Sequence, residues 1–155
     1  MNIVKKILSL FESSLSNDQI KALANGLLEY AKEMPNEVFE GEPDGYMEYA
    51  GEDEDPEVRV DGAEVRIIDP LELLDNIKDG EDFEVDVYKL TDAELSKIFS
   101  SLERQEFTIR SEIVYSGYSS RDEKERCYMS FKVNSLHYNK AKKVIDVKVS
   151  NISIE

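Results

Sequence analysis

Apolar side chains recur at helical spacing in the first part of the chain. Residues 2–14 repeat them every three or four positions and predict an amphipathic helix. Ser16 and Gln19 have the spacing of a capping box, in which each side chain accepts a hydrogen bond from the other residue's backbone N–H, so a second helix is expected from Ser16 onward. Pro35 ends this helix, because proline has no N–H and disfavours helical geometry in Met34 before it.

From residue 36 onward the pattern changes to short alternating runs. Strands are expected at 37–40 and 46–50, with the turn-rich sequence Gly-Glu-Pro-Asp-Gly between them. Residues 57–68 alternate around Asp61-Gly62, which suits a type I′ turn, and predict a hairpin. Closure of that turn would give the cross-strand pairs Val60 with Ala63 and Arg59 with Glu64, and a core-facing set of Val58, Val60, Ala63 and Val65.

Two further helices are expected before the last third of the chain. Residues 70–78 predict a short helix with Asp69 as its N-cap and an end near Gly80. Alternating apolar residues at 83, 85 and 87 predict a strand. Thr91 opens a second capping box, and the helix after it should carry an apolar side made of Leu95, Ile98, Phe99 and Leu102.

The last third of the chain alternates like the strands of an antiparallel sheet. Apolar residues predict strands at 107–115, 127–133 and 144–154, with the polar run 117–126 as a long hairpin loop. In the final strand the alternation changes parity, which predicts a bulge near Asn151.

These elements predict an α+β fold in which two N-terminal helices pack on a mainly antiparallel sheet, with one or two further helices inserted. We expect one domain over residues 1–155. Its parts would be a helical pair at 1–35, an acidic segment with a hairpin at 36–86, and a helix with a three-stranded antiparallel sheet at 87–155.

Size and composition support one soluble domain. The chain has 155 residues and a mass of 17.8 kDa, enough for a single core. The N-terminal apolar run is too short for a signal peptide, and no run approaches the roughly 20 residues that cross a bilayer. Cys127 is the only cysteine, so no internal disulfide can form. We therefore expect a cytoplasmic protein without a membrane partner.

Charge is concentrated in the middle third of the sequence. Between Glu33 and Asp86 there are 21 acidic and three basic residues, whereas the whole chain has a net charge of −15. This third thus supplies more than all of the negative charge. A surface of one sign attracts cationic molecules and repels nucleic acid, so direct binding of DNA or RNA is not expected.

The usual residues of enzymes and cofactor sites are sparse. His137 is the only histidine, and we expect both it and Cys127 to belong to the sheet, with Cys127 as a small buried apolar residue. One histidine and one cysteine cannot supply a structural zinc site or a catalytic histidine pair. No nucleotide-binding or nucleophile motif occurs, and no cofactor is expected.

Two short patterns could hold a cation. Residues 75–86 carry glycine at the sixth place of a calcium loop, but Ile77 occupies the third ligand place and the twelfth is Asp86. Asp146 and Lys148 resemble the Asp-x-Lys element of metal-dependent nucleases, in which the carboxylate binds Mg²⁺ and the lysine orients water. No second acidic strand position accompanies that element. A solvated acidic turn and an exposed strand face are the plainer interpretations.

The run 41–58 combines eight acidic residues with two tyrosines and contains no lysine or arginine. A purely solvating spacer has little need of aromatic residues, whereas tyrosine often anchors interfaces. We therefore hypothesise a non-enzymatic inhibitor that covers a basic partner protein, similar in size, acidity and lack of catalytic motif to immunity proteins against nuclease toxins and to phage anti-defence proteins. The partner-binding residues would be Glu42, Asp44, Tyr46, Glu48, Tyr49, Glu52, Asp53, Glu54, Asp55 and Glu57.

Two other functions fit the same sequence. A carboxylate-metal enzyme, such as a nuclease, could draw ligands from Glu52, Asp53, Asp55 and Asp146. A housekeeping domain could be acidic because its environment is rich in salt. The clustering of the charge argues against this last alternative, since general acidity would be spread along the chain.

Overall fold

A computed structural model describes residues 15–48, 57–81, 83–115 and 123–155. The helix expected at 2–14 lies outside this part of the chain. The described helices are α1 (Asn17–Glu33), α2 (Pro35–Val38), α3 (Pro70–Lys78) and α4 (Asp92–Phe99), with 3₁₀ turns at Val87–Lys89 and Ser100–Leu102. The described strands are β1 (Glu40–Glu48), β2 (Glu57–Ile68), β3 (Glu106–Tyr115), β4 (Glu123–Asn139) and β5 (Val144–Ile154).

The α+β prediction is confirmed, and the sheet curls into a barrel. The strand order is β1-β2-β5-β4-β3, and β1 returns to β3 to close the ring. Neighbouring strands run antiparallel except at the closure, where Tyr46 and Met47 pair in parallel with Val114 and Tyr115. Helices α3 and α4 are inserted between β2 and β3, as expected. None of the described helices combines the length and the hydrophobicity needed to cross a bilayer.

Both capping boxes are confirmed. Ser16 Oγ accepts from the Gln19 N–H at 3.2 Å, and the Gln19 side chain accepts from the Ser16 N–H at 3.0 Å. Thr91 and Glu94 make the same reciprocal bonds at the start of α4. These bonds satisfy backbone donors that the first turn of a helix leaves free. Helix α1 ends at Glu33, where Met34 caps it and Pro35 begins α2.

The core lies between the helices and the inner face of the sheet. Helix α1 contributes Leu23, Leu27 and Ala31, all fully buried, because they recur at helical spacing. The four residues predicted for the apolar side of the helix at 92–102 are likewise buried. The strands contribute a continuous inner row in which the largest side chains are Phe107, Ile109, Met129, Phe131 and Ile67.

The hairpin predicted at 57–68 is wrong. Residues 57–68 form one continuous strand, which pairs with β1 from Glu57 to Arg66 and with β5 from Val65 to Ile68. Asp61-Gly62 is not a turn: Gly62 pairs with Asp44 and Val60 pairs with Gly45, so Asp61 is an extra residue that bulges out of β2. The predicted pairs Val60 with Ala63 and Arg59 with Glu64 therefore do not exist.

The strand predicted at 37–40 is wrong, because 35–38 is helical and only Glu40 belongs to β1. Of the strand predicted at 46–50, residues 46–48 are confirmed and 49–50 lie outside the described residues, but this strand also spans the Gly-Glu-Pro-Asp-Gly sequence expected as a turn. Pro43 is tolerated there for a geometric reason. The Gly41 carbonyl faces β3, where it accepts from Ser111 Oγ at 2.7 Å. Backbone groups two residues apart point to the same edge, so the nitrogen of Pro43 also faces β3, and no ladder pair is needed at that position.

Other corrections are local. Asp69 precedes α3 as predicted, but its backbone is left-handed (φ 48°) and its side chain makes no capping bond. Residues 83–87 form no strand; Phe83 and Val85 pack on the core from an irregular segment, and Val87 starts a 3₁₀ turn. Residues 123–126 of the predicted loop belong to β4, and 116–122 lie outside the described residues.

The bulge predicted near Asn151 is confirmed. Ser130 pairs with Ser153 while Lys132 pairs with Ser150, so β5 has one residue more than β4 in this interval. Asn151 takes up the excess in a left-handed conformation (φ 53°), which asparagine tolerates better than most residues. Asn134 is a second extra residue, on β4, and its Oδ1 lies 2.9 Å from Ser150 Oγ.

Gly41 is predicted to be essential for the β1–β2 pairing. A Cβ at this position would lie 2.7 Å from the Glu64 carbonyl oxygen and 3.0 Å from Val65 Cγ2. Because backbone cannot move aside as a flexible side chain can, Gly41→Ala should lower the free energy of unfolding by about 1–3 kcal/mol in urea titrations.

Gly62→Ala is the matched control, because nothing lies within 4 Å of a Cβ there and its φ is not positive. This variant should be neutral or more stable by up to about 1 kcal/mol. Equal losses in both variants would show that the close approach at Gly41 is not the cause.

Candidate functional site

The outer face of the β1–β2 pair is acidic. Glu40, Glu42 and Asp44 alternate along β1 with their side chains exposed, while Asp61 and Glu64 are exposed on β2. We call these five residues the acidic hairpin face. Glu42 lies directly opposite Glu64, and only Glu40 lies opposite a cation, Arg66. In the part of the chain that the structure describes, none of the five forms an ion pair.

The β3–β4 pair has the opposite arrangement. Glu106 lies opposite Lys132 and Glu112 opposite Arg126, so exposed acids face exposed or half-buried cations across the two strands. Opposite charges across a ladder stabilise it, and like charges destabilise it. The same barrel therefore carries one outer face that is balanced and one that is not.

The predicted site residues fall into three groups. Glu42 and Asp44 lie on the acidic hairpin face. Tyr46, Glu48 and Glu57 belong to the paired ends of β1 and β2, where only their backbone is described. The remaining five lie outside the described residues, namely Tyr49, Glu52, Asp53, Glu54 and Asp55.

The strand directions fix where the acidic connection 49–56 leaves the barrel. This connection joins Glu48 to Glu57, which pair with each other at the ends of β1 and β2. Because β1 and β3 are parallel where they meet, the end of β1 lies beside the end of β3. Residues 49–56 and 116–122 therefore start from the same end of the barrel.

Sequence reasoning missed an acidic cleft that follows α3. A cleft of about 610 Å³ is lined by five described carboxylates, three large apolar or aromatic side chains and one lysine. Its lining residues are Asp75, Lys78, Asp79, Glu81, Phe83, Glu84, Val85, Asp86 and Tyr88. The sequence signal for this cleft is the acidic run in residues 75–86, which resembles a calcium loop only in the position of its glycine.

Lys78 is not available to neutralise the cleft as a whole. Its Nζ lies 3.0 Å from Asp75 Oδ1 and donates to the Val85 carbonyl at 3.2 Å. The hydrogen bond to Asp75 raises the pKa of Lys78, so the ammonium stays charged and paired. The other lining carboxylates, on Asp79, Glu81, Glu84 and Asp86, have no ion-pair partner among the described residues.

A second groove adjoins the cleft at Tyr88. This groove has a volume of about 460 Å³ and is lined by Asp69, Pro70, Leu71, Glu72, Tyr88, Tyr138, Lys140 and Lys143. Tyr88 lines both cavities and is 63% exposed, the largest exposure among the large hydrophobic side chains described. Its backbone is fixed by the hydrogen bond from its N–H to Asp86 Oδ1 (3.1 Å) and by the fully buried Val87 before it.

Of the residues considered for metal chemistry, Asp146 and Lys148 lie in the described part of the chain, whereas Glu52, Asp53 and Asp55 lie outside it. Asp146 and Lys148 are both exposed on the outer face of β5, as predicted, with Asp146 in register between Arg66 and His137. No group of three or more histidine, cysteine or acidic residues that could hold a metal occurs within the described ranges. Asp146 therefore has a cation and an imidazole as its cross-strand neighbours, and no second carboxylate.

Cys127 and His137 both belong to β4, as predicted. Cys127 is buried and His137 is exposed. Burial raises the pKa of the Cys127 thiol, and the nearby Glu112 and Glu125 raise it further. A reactive cysteine requires the opposite shift, so this thiol is a packing residue.

No protein-family model, no curated protein and no solved structure matches this chain. A function therefore has to be inferred from the surfaces of the chain itself. The features that those surfaces offer are the acidic hairpin face, the acidic cleft and the groove beyond Tyr88.

The raised pKa of Cys127 predicts a pH-dependent loss of stability. The unfolded thiol ionises above roughly pH 8.5, whereas the folded protein still holds it protonated, so unfolding becomes more favourable as the pH rises. Compared with Cys127→Ala, the parent protein should lose stability between neutral pH and the folded pKa of the thiol. Urea titrations of both proteins over this range measure the difference, in which other ionisations cancel. A difference that does not change with pH would contradict the prediction.

Proposed function

We propose that this chain is an acidic, non-enzymatic binding protein that covers a basic surface of a partner protein. The partner class that we favour is a nuclease toxin or a defence effector with a cationic nucleic-acid site. In such a complex the carboxylates would occupy positions that phosphates otherwise take, which is the mode of action of an inhibitor.

The unbalanced outer face of β1 and β2 is the observation that supports this proposal. The β3–β4 face places cations opposite its acids, so the chain does contain balanced strand pairs. On β1 and β2, Glu42 faces Glu64, and Asp44 and Asp61 have no cationic partner among the described residues. Clustered like charges weaken the folded state through self-repulsion. A partner protein that places cations opposite these carboxylates would relieve this repulsion in the complex.

Electrostatics also determines how such a partner would be found. A net charge of −15 steers cationic proteins toward the chain and raises their association rate, chiefly at low ionic strength. Rim charges act mostly on association, while buried aromatic contacts slow dissociation. Tyr88 is exposed at the acidic cleft. The sequence also predicts Tyr46 and Tyr49 as aromatic anchors.

Two charge-matched double variants should change stability in opposite directions. Glu42→Gln/Glu64→Gln removes a like-charge cross-strand pair, so its free energy of unfolding should rise by about 0.2–1 kcal/mol. Glu106→Gln/Glu112→Gln removes the acids that face Lys132 and Arg126, so its stability should fall by a similar amount. Urea titration at low salt measures both, and the two shifts should shrink as salt is added. Shifts of the same sign would contradict the unbalanced character of the acidic hairpin face.

The same two variants test binding. A fluorescein-labelled oligo-arginine peptide serves as the cationic probe, with anisotropy as the readout. The parent protein should bind it at least about tenfold more weakly at about 0.5 M salt than at about 0.05 M salt. Glu42→Gln/Glu64→Gln should weaken binding several-fold, whereas Glu106→Gln/Glu112→Gln, with the same net charge, should change it less than about twofold.

Binding without salt dependence would overturn electrostatic capture. Equal losses in the two variants would show that net charge alone attracts the probe, without a defined face. For a purified basic nuclease, inhibition of its activity at equimolar protein, with the same ranking of variants, is the expected functional result.

A further inference from the structure

We propose that the partner attracted by the acidic hairpin face makes a second contact, in which its cationic residues enter the acidic cleft and an adjacent apolar side chain enters the groove beyond Tyr88. This inference rests on the proposed function and adds a sequence requirement to it. The partner segment would contain a run of arginine or lysine next to a large apolar residue. Tyr88 would lie between the two parts of the bound segment.

The two cavities differ in what their walls can bind. The described wall of the cleft is dominated by carboxylates, with Lys78 already paired to Asp75. The groove instead presents Pro70, Leu71 and the rings of Tyr88 and Tyr138, and it carries Lys140 and Lys143 in addition to Asp69 and Glu72. Cations are therefore favoured in the cleft and have no net attraction to the groove, where an apolar side chain gains by leaving water.

Tyr88 lies between the two contacts, because it lines both the cleft and the groove. Its side chain is 63% exposed, yet Val87 beside it is fully buried and the Tyr88 N–H is bonded to Asp86, so the ring projects from a fixed backbone. A tyrosine ring has few torsions to immobilise and offers both apolar area and an attractive face for cations. A guanidinium in the cleft can lie against one part of the ring while an apolar neighbour covers another.

The two lysines of the groove determine on which side of its apolar residue the bound segment can be cationic. Lys140 pairs with Asp92 at 2.9 Å, and this hydrogen bond raises the pKa of Lys140, so the amine remains charged. Lys143 has no ion-pair partner among the described residues. A second cationic run beyond the apolar residue would meet these two amines. The partner segment should therefore be cationic on one side of its apolar residue only.

Three labelled peptides test this inference. The first carries an arginine run followed by glycine and serine, the second replaces one residue after the run by leucine, and the third has the leucine without arginine. The second should bind about tenfold more tightly than the first, because a leucine side chain leaves water in the groove. The third should not bind measurably, since the groove alone is shallow and mixed in charge.

Two tyrosine variants test whether the higher affinity of the leucine-containing peptide depends on Tyr88. Tyr88→Ala should remove most of the leucine advantage, so that the first two peptides bind within about twofold of each other. Tyr128→Ala is the control, because Tyr128 is 55% exposed on β4 opposite Arg110 and lines neither cavity. This control should leave the advantage of the leucine peptide unchanged, and both variants replace a tyrosine that is more than half exposed.

Each contrary outcome has a distinct meaning. Equal affinity of the two arginine peptides for the parent protein would overturn this inference and leave the proposed function standing, provided that binding remains salt-dependent. Failure of both arginine peptides to bind would overturn both. If the free protein sediments as a dimer at the concentrations used and Tyr88→Ala makes it monomeric, a second copy occupies the groove, and the inference is also overturned.

Discussion

The segment from Asn36 to Gly41 holds the barrel closed. The parallel ladder between β1 and β3 is confined to Tyr46 and Met47 with Val114 and Tyr115, so most of that joint lacks backbone pairing. Side chains replace it: Asn36 Oδ1 accepts from the Arg110 N–H, and Ser111 Oγ donates to the Gly41 carbonyl, both at 2.7 Å. Phe39 lies between these bonds and packs its ring 4.8 Å from Phe107 and 5.3 Å from Phe131. This contact fixes the start of β1 against the sheet.

Apolar burial on the inner side of β2 explains how the barrel tolerates an unbalanced charge face. The inner side of β2 is secured by Val65 and Ile67, both buried, while its outer side carries Glu64 and Arg66. Burial of two such side chains contributes about 3–6 kcal/mol, which exceeds the roughly 1 kcal/mol or less that an interaction between two exposed charges is worth. The acidic surface can therefore be maintained without cations of its own, and the same holds for the cleft, where Phe83 and Val85 pack on the core beneath the carboxylates.

The structural features that the sequence predicted correctly are those determined by residues close together in the chain. The two capping boxes, the helix at 70–78 and the parity change at Asn151 were all readable, because each is decided within a few residues. Asp61-Gly62 was misread because a tight turn and a single-residue bulge both place Val60 and Ala63 on the same side, and only the distant strand β1 decides between them. Pro43 misled in the same way, since its tolerance depends on the unpaired edge toward β3. Of the candidate surfaces, the sequence pointed to Glu42 and Asp44, whose place on the acidic hairpin face only the structure shows. The cleft was missed because it forms only when 83–88 folds back along α3.

The parallel joint between β1 and β3 also determines the order in which the barrel can assemble. Strands β3, β4 and β5 follow one another along the chain and form a meander from local contacts, but Tyr46 meets Val114 only after a stretch that contains α3 and α4 has been arranged. Bringing segments together that lie so far apart in the sequence costs conformational entropy, and two residue pairs offset only a small part of it. Ring closure is therefore expected late in folding. By the same reasoning the short ladder at Tyr46 and Met47 opens more readily than the start of β1, which the buried Phe39 ring holds against the sheet. Amide hydrogens at the end of β1 should thus exchange through a local opening while the start of β1 and the meander stay intact.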